Sequence, residues 1–415
     1  MKLSFPAARA DALNAWQEFI PKVTAYAKNR NHVIDGHQHV SCLSPAIRHR
    51  LISEDEILLD TLRHHRFDRA EKWLQEVCWR RYWKGWLEMH PDVWDNWQDR
   101  VKVLTESLPK NVLDRAAAVA RGESGVAVMD AFAHELIKTG YLHNHARMWW
   151  ASFWIHVEKL PWELGAEFFY RHLLDADPAS NTCSWRWVAG LQTPGKTYLV
   201  RKSNIERYAP HLLEKYSSGS DALDDEKTAP QLAQETALMA RHALPTLAND
   251  YRQPLEQKIG IWLHMDDLLL ETSPLTDVSP VAIAATSARS ALVSTVKSRY
   301  LENAFGDAIL RTKKHFNHAP TVILDEVYAP QMAAWAKEHR LDQVVALAAC
   351  VGPTRDQMPA IESALTAIGC SCHWIRRPSD QRAFSIAGAG FFPFWKKMER
   401  HLRELAASPE FPFGK

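Results

Sequence analysis

Residues 139–187 hold the densest group of side chains in this chain that could do chemistry. They comprise polar groups, two tryptophans and a methionine: Asn144, Arg147, Asp175, Asp177, Asn181, Trp185, Trp187 and Met148. Amide, guanidinium and carboxylate groups can hydrogen-bond the polar edge of a flat heteroaromatic cofactor. Tryptophans beside such a cofactor could pass electrons to it. The stretch therefore indicates a bound aromatic cofactor.

A second group lies in the segment WLQEVCWRRYWK, which starts at Trp73. Four of its side chains are spaced by three and four residues: Glu76, Trp79, Arg80 and Trp83. On a helix these four would share one face. A carboxylate in a helix that is otherwise buried needs a partner or a purpose. The segment alone leaves two interpretations open, a salt-bridged helix with a tryptophan stripe and a site that faces a ligand.

Residues 26–45 contain hydroxyl groups and histidines before a predicted helix that starts after Pro45. Ser41 and Ser44 could donate hydrogen bonds to phosphate oxygens near the N-terminus of that helix. An ordinary capped helix is the simpler explanation of an SxxSP turn taken alone. The histidines at positions 32, 37 and 39 match no standard metal-ligand spacing, so we interpret them as loop residues and predict no metal site.

The elements that must position these groups change along the chain. Residues 1–215 show helical periodicity in long segments, and residues 216–256 are polar and interrupted by prolines, as is typical of a linker. From residue 257 onward, five short apolar runs alternate with helical segments, which predicts a parallel sheet with helices on its faces. The strands are expected at residues 259–264, 281–286, 321–326, 344–350 and 370–375. No GxGxxG or P-loop sequence opens any of these helices.

Composition limits the classes of function. The 415 residues are enough for two domains, and 50 Lys+Arg against 49 Asp+Glu exclude a globally basic nucleic-acid coat but not a local basic face. The six cysteines include no CxxC pair, so neither a disulfide framework nor a zinc site is indicated. Many of the 17 tryptophans are expected in a helical core. No signal core or membrane-length apolar run occurs, and we expect a cytoplasmic protein.

Six motifs carry a family resemblance. They occur in the order YxxxRN, SxLSP, WLxEVxWRxYW, GxSGxxxxDA, TGYLHNxxRM and DxDxASNxxSWRW. Over most of residues 14–210 the chain thus resembles the photolyase/cryptochrome family, and in particular the photolyases that repair cyclobutane pyrimidine dimers. The resemblance implies an all-α FAD-binding domain, here followed by an α/β Rossmann-like parallel-sheet domain. It also implies that the FAD adopts a U-shape.

The resemblance assigns a role to each residue of the cofactor site. Residues that match contacts to FAD are Tyr26, Ser41, Ser44, Arg80, Asn144, Arg147, Asp175, Asp177 and Asn181. Within this set, Arg147 and Asp175 match a buried pair against the flavin ring. Asp177 matches a carboxylate that accepts from the pyrimidine edge of the flavin, and Asn181 matches the residue that faces flavin N5.

The resemblance also implies a substrate pocket and an electron path. Residues that match the pocket for a flipped-out cyclobutane dimer are Glu76, Trp79, Met148 and Trp187, and Asn144 matches a residue that lies near the flavin and the substrate. Family members that repair the other pyrimidine lesion carry histidines where this chain has Asn144 and Met148, which favours the cyclobutane dimer. Trp185 and Trp162 match the first two tryptophans of a wire that reduces the flavin. The segment expected to hold the third has no aromatic residue, so the wire either ends early or leaves through Trp150 or Trp154.

The order of the domains departs from the family, whose members usually place the α/β antenna domain first. We interpret the chain as circularly permuted, with a helical domain (residues 1–215), a linker (216–256) and an antenna-like domain (257–415). The residues do not indicate whether that domain binds an antenna pigment. The leading hypothesis is light-driven repair of pyrimidine dimers in DNA, with a positive groove drawn from Arg80, Arg81, Lys84, Arg201, Lys202 and Arg207. The alternatives are a cryptochrome-like blue-light sensor with a protein partner, and a flavoprotein without photochemistry.

Overall fold

The computed structural model describes residues 5–193, 196–223, 240–254, 256–287, 293–325 and 327–407. Its first part is helical. The helices of this part are α1 (Arg9–Phe19), α2 (Val23–Asn29), α3 (Ser44–Arg48), α4 (Glu54–His64), α5 (Phe67–Glu88), α6 (Asp92–Ser107), α7 (Lys110–Ala120), α8 (Ala127–Thr139), α9 (Asn144–Ser152), α10 (Trp162–His172), α11 (Pro178–Val188), α12 (Lys202–Tyr208) and α13 (Pro210–Lys215).

Local sequence explains where several of these helices begin and end. The periodic segment over residues 10–30 is divided into α1 and α2 by a 3₁₀ turn that contains Pro21, because proline cannot donate the next helical hydrogen bond. Ser53 caps α4 and forms a reciprocal capping box with Glu56. Helix α8 ends at Gly140, whose φ of 71° is a left-handed conformation that glycine adopts without strain.

The second part is an α/β unit. Its strands are β1 (Ile259–His264), β2 (Ala282–Thr286), β3 (Thr321–Ile323), β4 (Gln343–Leu347) and β5 (Ser371–Ile375). Its helices are α14 (Thr295–Phe316), α15 (Ala329–Glu338), α16 (Pro353–Thr366), α17 (Pro378–Ser385) and α18 (Phe391–Ala407). All paired strands are parallel, in the order β3-β2-β1-β4-β5. The predicted fold class, an all-α domain followed by an α/β parallel-sheet domain, is confirmed.

The central strands of the sheet are buried on both faces. Strand β1 lies at its centre, with Ile261 opposite Ile283 of β2 and Val345 of β4. Every residue of β1, β2 and β4 is buried, as expected for strands covered on both faces. Loops at the carboxyl ends of β1 and β4 turn towards the helical part and contact it.

Buried ion pairs join the two parts. Arg50 of the helical part contacts Asp267, which follows β1, at 2.7 Å and Asp380 of α17 at 2.6 Å. Glu88 at the end of α5 pairs with Arg376 at 2.9 Å, and its Oε1 accepts a hydrogen bond from the backbone N–H of Val351 at 2.9 Å. The proposed boundaries at residues 215 and 257 stay a prediction, and residues 224–239 and 255 of the predicted linker lie outside the described residues. No helix in the described ranges is long and apolar enough to cross a bilayer.

Candidate functional site

Two ion pairs form the centre of the candidate site. Arg80 of α5 pairs with Asp177, and its Nη1 also lies 3.4 Å from the backbone carbonyl of Asp175. Arg147 of α9 lies 3.0 Å from Asp175 and donates from Nε to the carbonyl of Leu142 at 2.7 Å. The sequence alone placed these four charged residues on three separate segments. The fold brings them together beside the N-terminus of α11.

The cations keep both carboxylates ionised. Burial alone would raise the pKa of Asp177, but the positive charges of Arg80, Arg48 and Lys84 lower it to about 2. Burial would likewise raise the pKa of Asp175, and the charges of Arg147 and Arg80 lower it instead. Asp177 also caps α11, because its Oδ1 accepts from the backbone N–H of Ser180 at 2.9 Å. These groups are therefore acceptors only, held in fixed positions.

The three residues predicted to contact the FAD phosphates have different surroundings. Ser44, at the start of α3, lies near Asp175, and its hydroxyl is one of the groups that lower the pKa of that carboxyl. Ser41 accepts from the backbone N–H of Leu43 at 3.3 Å, as in a local turn. Tyr26 packs its ring edge against Trp73, and burial raises the pKa of its hydroxyl. Whether Ser41 and Tyr26 contact a phosphate stays a prediction.

Helices α9 and α11 carry the amides of the site. Asn181 is buried on α11, and its Nδ2 donates to the carbonyl of Ala166 at 2.8 Å, which leaves the carbonyl oxygen of the side chain as an acceptor. Asn144 is the exposed first residue of α9, and Met148 lies one turn later and is half-buried. The helical spacing of four places Asn144 and Met148 on one face of α9.

The predicted substrate face is only partly open. Glu76 is half-exposed and pairs with Lys72 at 2.9 Å and with Arg30 at 3.4 Å. The ring of Trp79 is covered by Phe391, the first residue of α18, with 3.6 Å between centroids and 6° between planes. The ring centroid of Trp187 lies 6.1 Å from that of Tyr198.

The cover over Trp79 could not be inferred from the helical segment, because it comes from more than 300 residues further along the chain. In this conformation a base has no access to the face of Trp79 on which Phe391 is stacked. The presence of a second aromatic ring there shows that the Trp79 face is suited to stacking.

The tryptophans around Trp185 form a compact group. Trp185 lies edge-on to Trp150 at 6.2 Å, and Trp150 lies 5.2 Å from Trp154. A Cβ at Gly165 would lie 2.4 Å from the ring of Trp185 and 2.9 Å from Nε1 of Trp154, so these two rings approach each other over a glycine. Trp162 is buried at the start of α10, and its role as the second member of the wire stays a prediction. Trp150 contacts Trp185, and Trp154 lies beside it. Either could therefore follow Trp185 in the electron path in place of Trp162.

The prediction of an exposed basic groove is wrong for three of its six residues. Arg81 and Lys84 are only 2% and 4% exposed. Arg80 forms an ion pair with Asp177 inside the protein. Arg81 lies 2.7 Å from Asp55 within the protein. These side chains point inwards because they lie on the faces of α5 that pack against α11 and α17. The remaining candidates, Arg201, Lys202 and Arg207, lie at the start and along α12, where Arg201 and Arg207 are exposed.

Four charged residues near the site were missed by the sequence reasoning or given another role. Three of them are more than nine-tenths buried: Arg48, Lys84 and Lys297. The fourth, Asp266, pairs with Arg48 in the interior. Asp266 and Lys297 come from the α/β part, and no motif indicates that they would approach Asp177. The only signal was that charged residues occur within apolar segments, such as Lys84 between Trp83 and Trp86. The α/β part therefore contributes directly to the surroundings of the candidate site.

Comparison with known proteins identifies the helical part. Residues 73–212 match the family model described as the FAD binding domain of DNA photolyase. This part of the chain belongs to the photolyase/cryptochrome family. The match runs from within α5 to within α13 and so contains both ion pairs of the site. It confirms FAD as the predicted cofactor.

The similar proteins cover only part of the chain. A deoxyribodipyrimidine photo-lyase of Escherichia coli is 30% identical over 155 residues, which are 36% of this chain and 30% of that protein. One of Alkalihalophilus pseudofirmus is 31% identical over 190 residues, or 45% and 39%. The chain thus spans roughly a third of the length of these two curated relatives. The circular permutation stays a prediction.

The solved structures that match part of this chain include a bacterial class III photolyase from Agrobacterium tumefaciens and a Synechocystis cryptochrome. The photolyase has a TM-score of 0.43 and 26% identity, over 50% of this chain and 44% of that chain. The cryptochrome has a TM-score of 0.46 and 20% identity, over 59% and 54%.

The residues present suit FAD. Oδ1 of Asp175 is buried and accepts no hydrogen bond from any described residue, although Arg147 lies within ion-pair distance of it. Nε1 of Trp185 is also buried and has no acceptor within the part of the chain that the structure describes. A buried polar atom without a partner costs about 1–3 kcal/mol, which a ligand with both donors and acceptors would recover. Among the described residues, no group of three or more His, Cys, Asp or Glu side chains is arranged to hold a metal ion.

Proposed function

We propose that this chain binds FAD and uses blue light to split cyclobutane pyrimidine dimers in DNA. The observation that carries the proposal is the buried cluster of Arg80, Asp177, Arg147 and Asp175 within a domain of the FAD-binding photolyase type. Reduced FAD, when bound and excited, would supply one electron to the dimer and take it back after the ring opens. The protein supplies position and electrostatics.

The charged cluster would hold the cofactor by its polar edges. Arg80 and the hydroxyl of Ser44 are donors suited to oxyanions, and the ionised Asp177 is an acceptor suited to an N–H group. Asn181 would offer its carbonyl oxygen to the flavin centre without adding a charge. Because each of these side chains already has a protein partner, little would have to reorganise when FAD binds.

The substrate side would use α5 and α9. Glu76 lies one turn before Arg80 on α5, so a dimer held by Glu76 would lie beside the cofactor. A damaged base pair stacks poorly, so flipping it out costs only a few kcal/mol. Neither Asn144 nor Met148 is a histidine, which supports the cyclobutane dimer as the lesion.

A blue-light sensor is the second candidate function, and one observation favours it. Phe391 covers Trp79, so repair requires the first turn of α18 to move, whereas photochemistry in a sensor does not. In a sensor, the tryptophans around Trp185 would supply the electron and α18 would be near the signalling event.

The experiment is repair of a thymine-dimer oligonucleotide under blue light by purified protein whose FAD is chemically reduced beforehand. Reduction in advance makes the assay independent of the tryptophan wire. We expect light-dependent loss of dimers, a decrease of at least about tenfold in Glu76→Ala, and little change in Glu71→Ala, which lies on the same helix. Absence of repair by a protein whose flavin is bound and responds to light would contradict repair and favour the sensor.

A further inference from the structure

One face of helix α18 carries exposed positive charge. Lys396 and Arg400 are both exposed and are four residues apart, so they lie on the same face of the helix, about 6 Å apart along its axis. We call these two residues the α18 stripe. The groove along this face is lined by Lys396, Arg400, Arg403, Glu399, Glu404 and Ala407.

Arg403 neutralises the carboxylates closest to the contact between α18 and α5. It pairs with Glu399, one turn earlier on α18, and with Asp68 of α5, each at 2.9 Å. Its guanidinium carbon lies 3.9 Å from the centre of the Phe67 ring. One arginine thus holds two carboxylates and attaches α18 to α5. Within the described part of the chain, neither cation of the α18 stripe forms an ion pair, so both remain available to an anionic partner.

A third cation comes from α5 itself. Arg69 is exposed and, among the described residues, has no carboxylate as ion-pair partner. It lies two helical turns before Glu76, and this spacing places Arg69 and Glu76 on the same face of α5. Because Asp68 next to it holds Arg403 of α18, Arg69 lies close to the contact between the two helices. The positive charge of the α18 stripe therefore continues onto the face of α5 that carries Glu76.

The α18 stripe follows directly after the residue that covers Trp79. Phe391, the first residue of α18, stacks on Trp79, and Lys396 comes less than two turns later. The distance along the helix axis from Phe391 to Arg400 is about 14 Å. The cations therefore lie beside the face on which a flipped base would stack, at the distance of the neighbouring nucleotides rather than of the base itself.

The phosphates of a DNA strand suit this surface. Each strand of a duplex carries one phosphate for about every 3.4 Å of its axis, so the two cations of the α18 stripe are far enough apart to meet different phosphates. A DNA complex needs such contacts because phosphates supply most of the non-specific affinity. Three of the six residues predicted to form a basic groove are held inside the protein, so other cations must supply these contacts.

We propose that Arg69, Lys396 and Arg400 bind the phosphates of the DNA strand on one side of the lesion. This inference rests on the proposed function, because it assigns the backbone contacts of the same pocket. Contacts to phosphates fix the position of the strand and carry no sequence information. They would hold the strand along α18 so that the dimer lies over α5, next to Glu76.

The test uses the full chain loaded with FAD, kept in the dark, and a fluorescein-labelled duplex that contains one thymine dimer. Fluorescence anisotropy between about 50 and 200 mM KCl measures the Kd of the wild type, of Lys396→Gln/Arg400→Gln and of a control, Lys313→Gln/Lys314→Gln. The control removes the same charge from two exposed positions at the end of α14.

We expect the Lys396→Gln/Arg400→Gln protein to bind the duplex about tenfold more weakly at the middle of this salt range. Its plot of the logarithm of the binding constant against that of the salt concentration should be less steep by about 1.8, because each lost phosphate contact lowers the slope by about 0.9. The control should follow the wild type. A variant with the slope and affinity of the wild type, or an equal loss in the control, overturns the proposal, as does a wild type that does not bind the duplex.

Repair of the same duplex under blue light, at saturating concentration and with FAD reduced beforehand, separates this proposal from the proposed function. The α18 stripe would contact neither the flavin nor the dimer, so the variant should repair the bound dimer at the wild-type rate. Repair by both proteins with equal affinities overturns the α18 stripe and leaves repair standing. Weaker and less salt-dependent binding by the variant, without repair by either protein, supports the α18 stripe and contradicts the repair reaction.

Discussion

At the scale of single residues, Lys297 shows how closely the α/β part approaches the candidate site. Its Nζ donates to the backbone carbonyl of Tyr170 at 2.6 Å and lies 4.7 Å from the centre of the Tyr170 ring. Burial and the nearby charge of Arg48 lower the pKa of Lys297 to about 7, against the opposing effect of Asp175 and Asp177. An amine that titrates at neutral pH inside the protein makes stability depend on pH.

The direction of that dependence follows from proton binding. The unfolded chain binds a proton at this lysine up to a pH of about 10.4, whereas the folded chain loses it above about 7. The free energy of unfolding should therefore rise with pH between these values, by up to about 1.4 kcal/mol per pH unit. Lys297→Met should remove this contribution and stabilise the protein most at pH 7 and below.

Urea denaturation of both proteins from pH 7 to pH 9 measures the effect. The stabilising effect of Lys297→Met should decrease by about 2–3 kcal/mol over this range. Lys314→Met, at an exposed position on the same helix α14, serves as the control and should follow the wild type. Curves for the wild type and Lys297→Met that run parallel would contradict the prediction.

At the scale of elements, the first turn of α18 controls access to Trp79. The ring of Phe391 takes the place on Trp79 that a stacked base would occupy. Further along α18, Trp395 stacks on Phe67 and Arg403 pairs with Asp68 of α5, so the rest of the helix can stay attached while its first turn moves. Removal of the Phe391 ring should therefore make base stacking easier.

We expect Phe391→Ala to bind a single-stranded oligonucleotide with one thymine dimer about tenfold more tightly in the dark, since a stacked base is worth about 1–3 kcal/mol. Fluorescence anisotropy measures the affinity. Phe392→Ala is the matched control, because Phe392 is 74% exposed. Truncation of a buried phenylalanine also costs about 3–5 kcal/mol of stability, so Phe391→Leu, which keeps most of the apolar volume, should give an intermediate gain. Equal affinities for all four proteins would show that Phe391 does not control access.

The elements themselves could largely be predicted from the sequence. Helical periodicity gave α5 and α8, and the apolar runs gave all five strands, because burial on one or both faces leaves a regular pattern in the residues. The cofactor-site ion pairs joined residues that the family motifs already singled out. Phe391, Lys297 and Asp266 could not be predicted, because their positions depend on how the α/β part packs on the helical part. Burial of Arg81 and Lys84 was missed for the same reason, since a charged residue on a helix is usually exposed.

At the scale of the whole molecule, buried charges connect the two parts at several points, in addition to an apolar core that both parts share. Asp267 accepts from Arg50 of the helical part and from Arg377 of the α/β part, both at 2.7 Å. Removal of one partner from a buried charge network leaves the others uncompensated. The two parts should therefore unfold together in the wild type and separately when the network is broken.

Asp267→Asn should lower the free energy of unfolding by about 3–5 kcal/mol. Urea denaturation followed by circular dichroism should then show a broader or two-step transition where the wild type has one step. Asp277→Asn, at an exposed position in the same part, should change the free energy by no more than about 0.5 kcal/mol. A single sharp transition with an unchanged midpoint in Asp267→Asn would mean that this network does not join the two parts.

The measurement that tests the central claim most directly is the FAD content of the protein. Chain purified in the dark and incubated with FAD would be freed of excess cofactor, denatured, and assayed for released flavin by absorbance. We predict one FAD per chain in the wild type and a loss of most of it in Asp177→Ala, which leaves Arg80 without its partner. A wild-type protein that retains no flavin would contradict both the repair enzyme and the sensor, because both need the cofactor at this cluster.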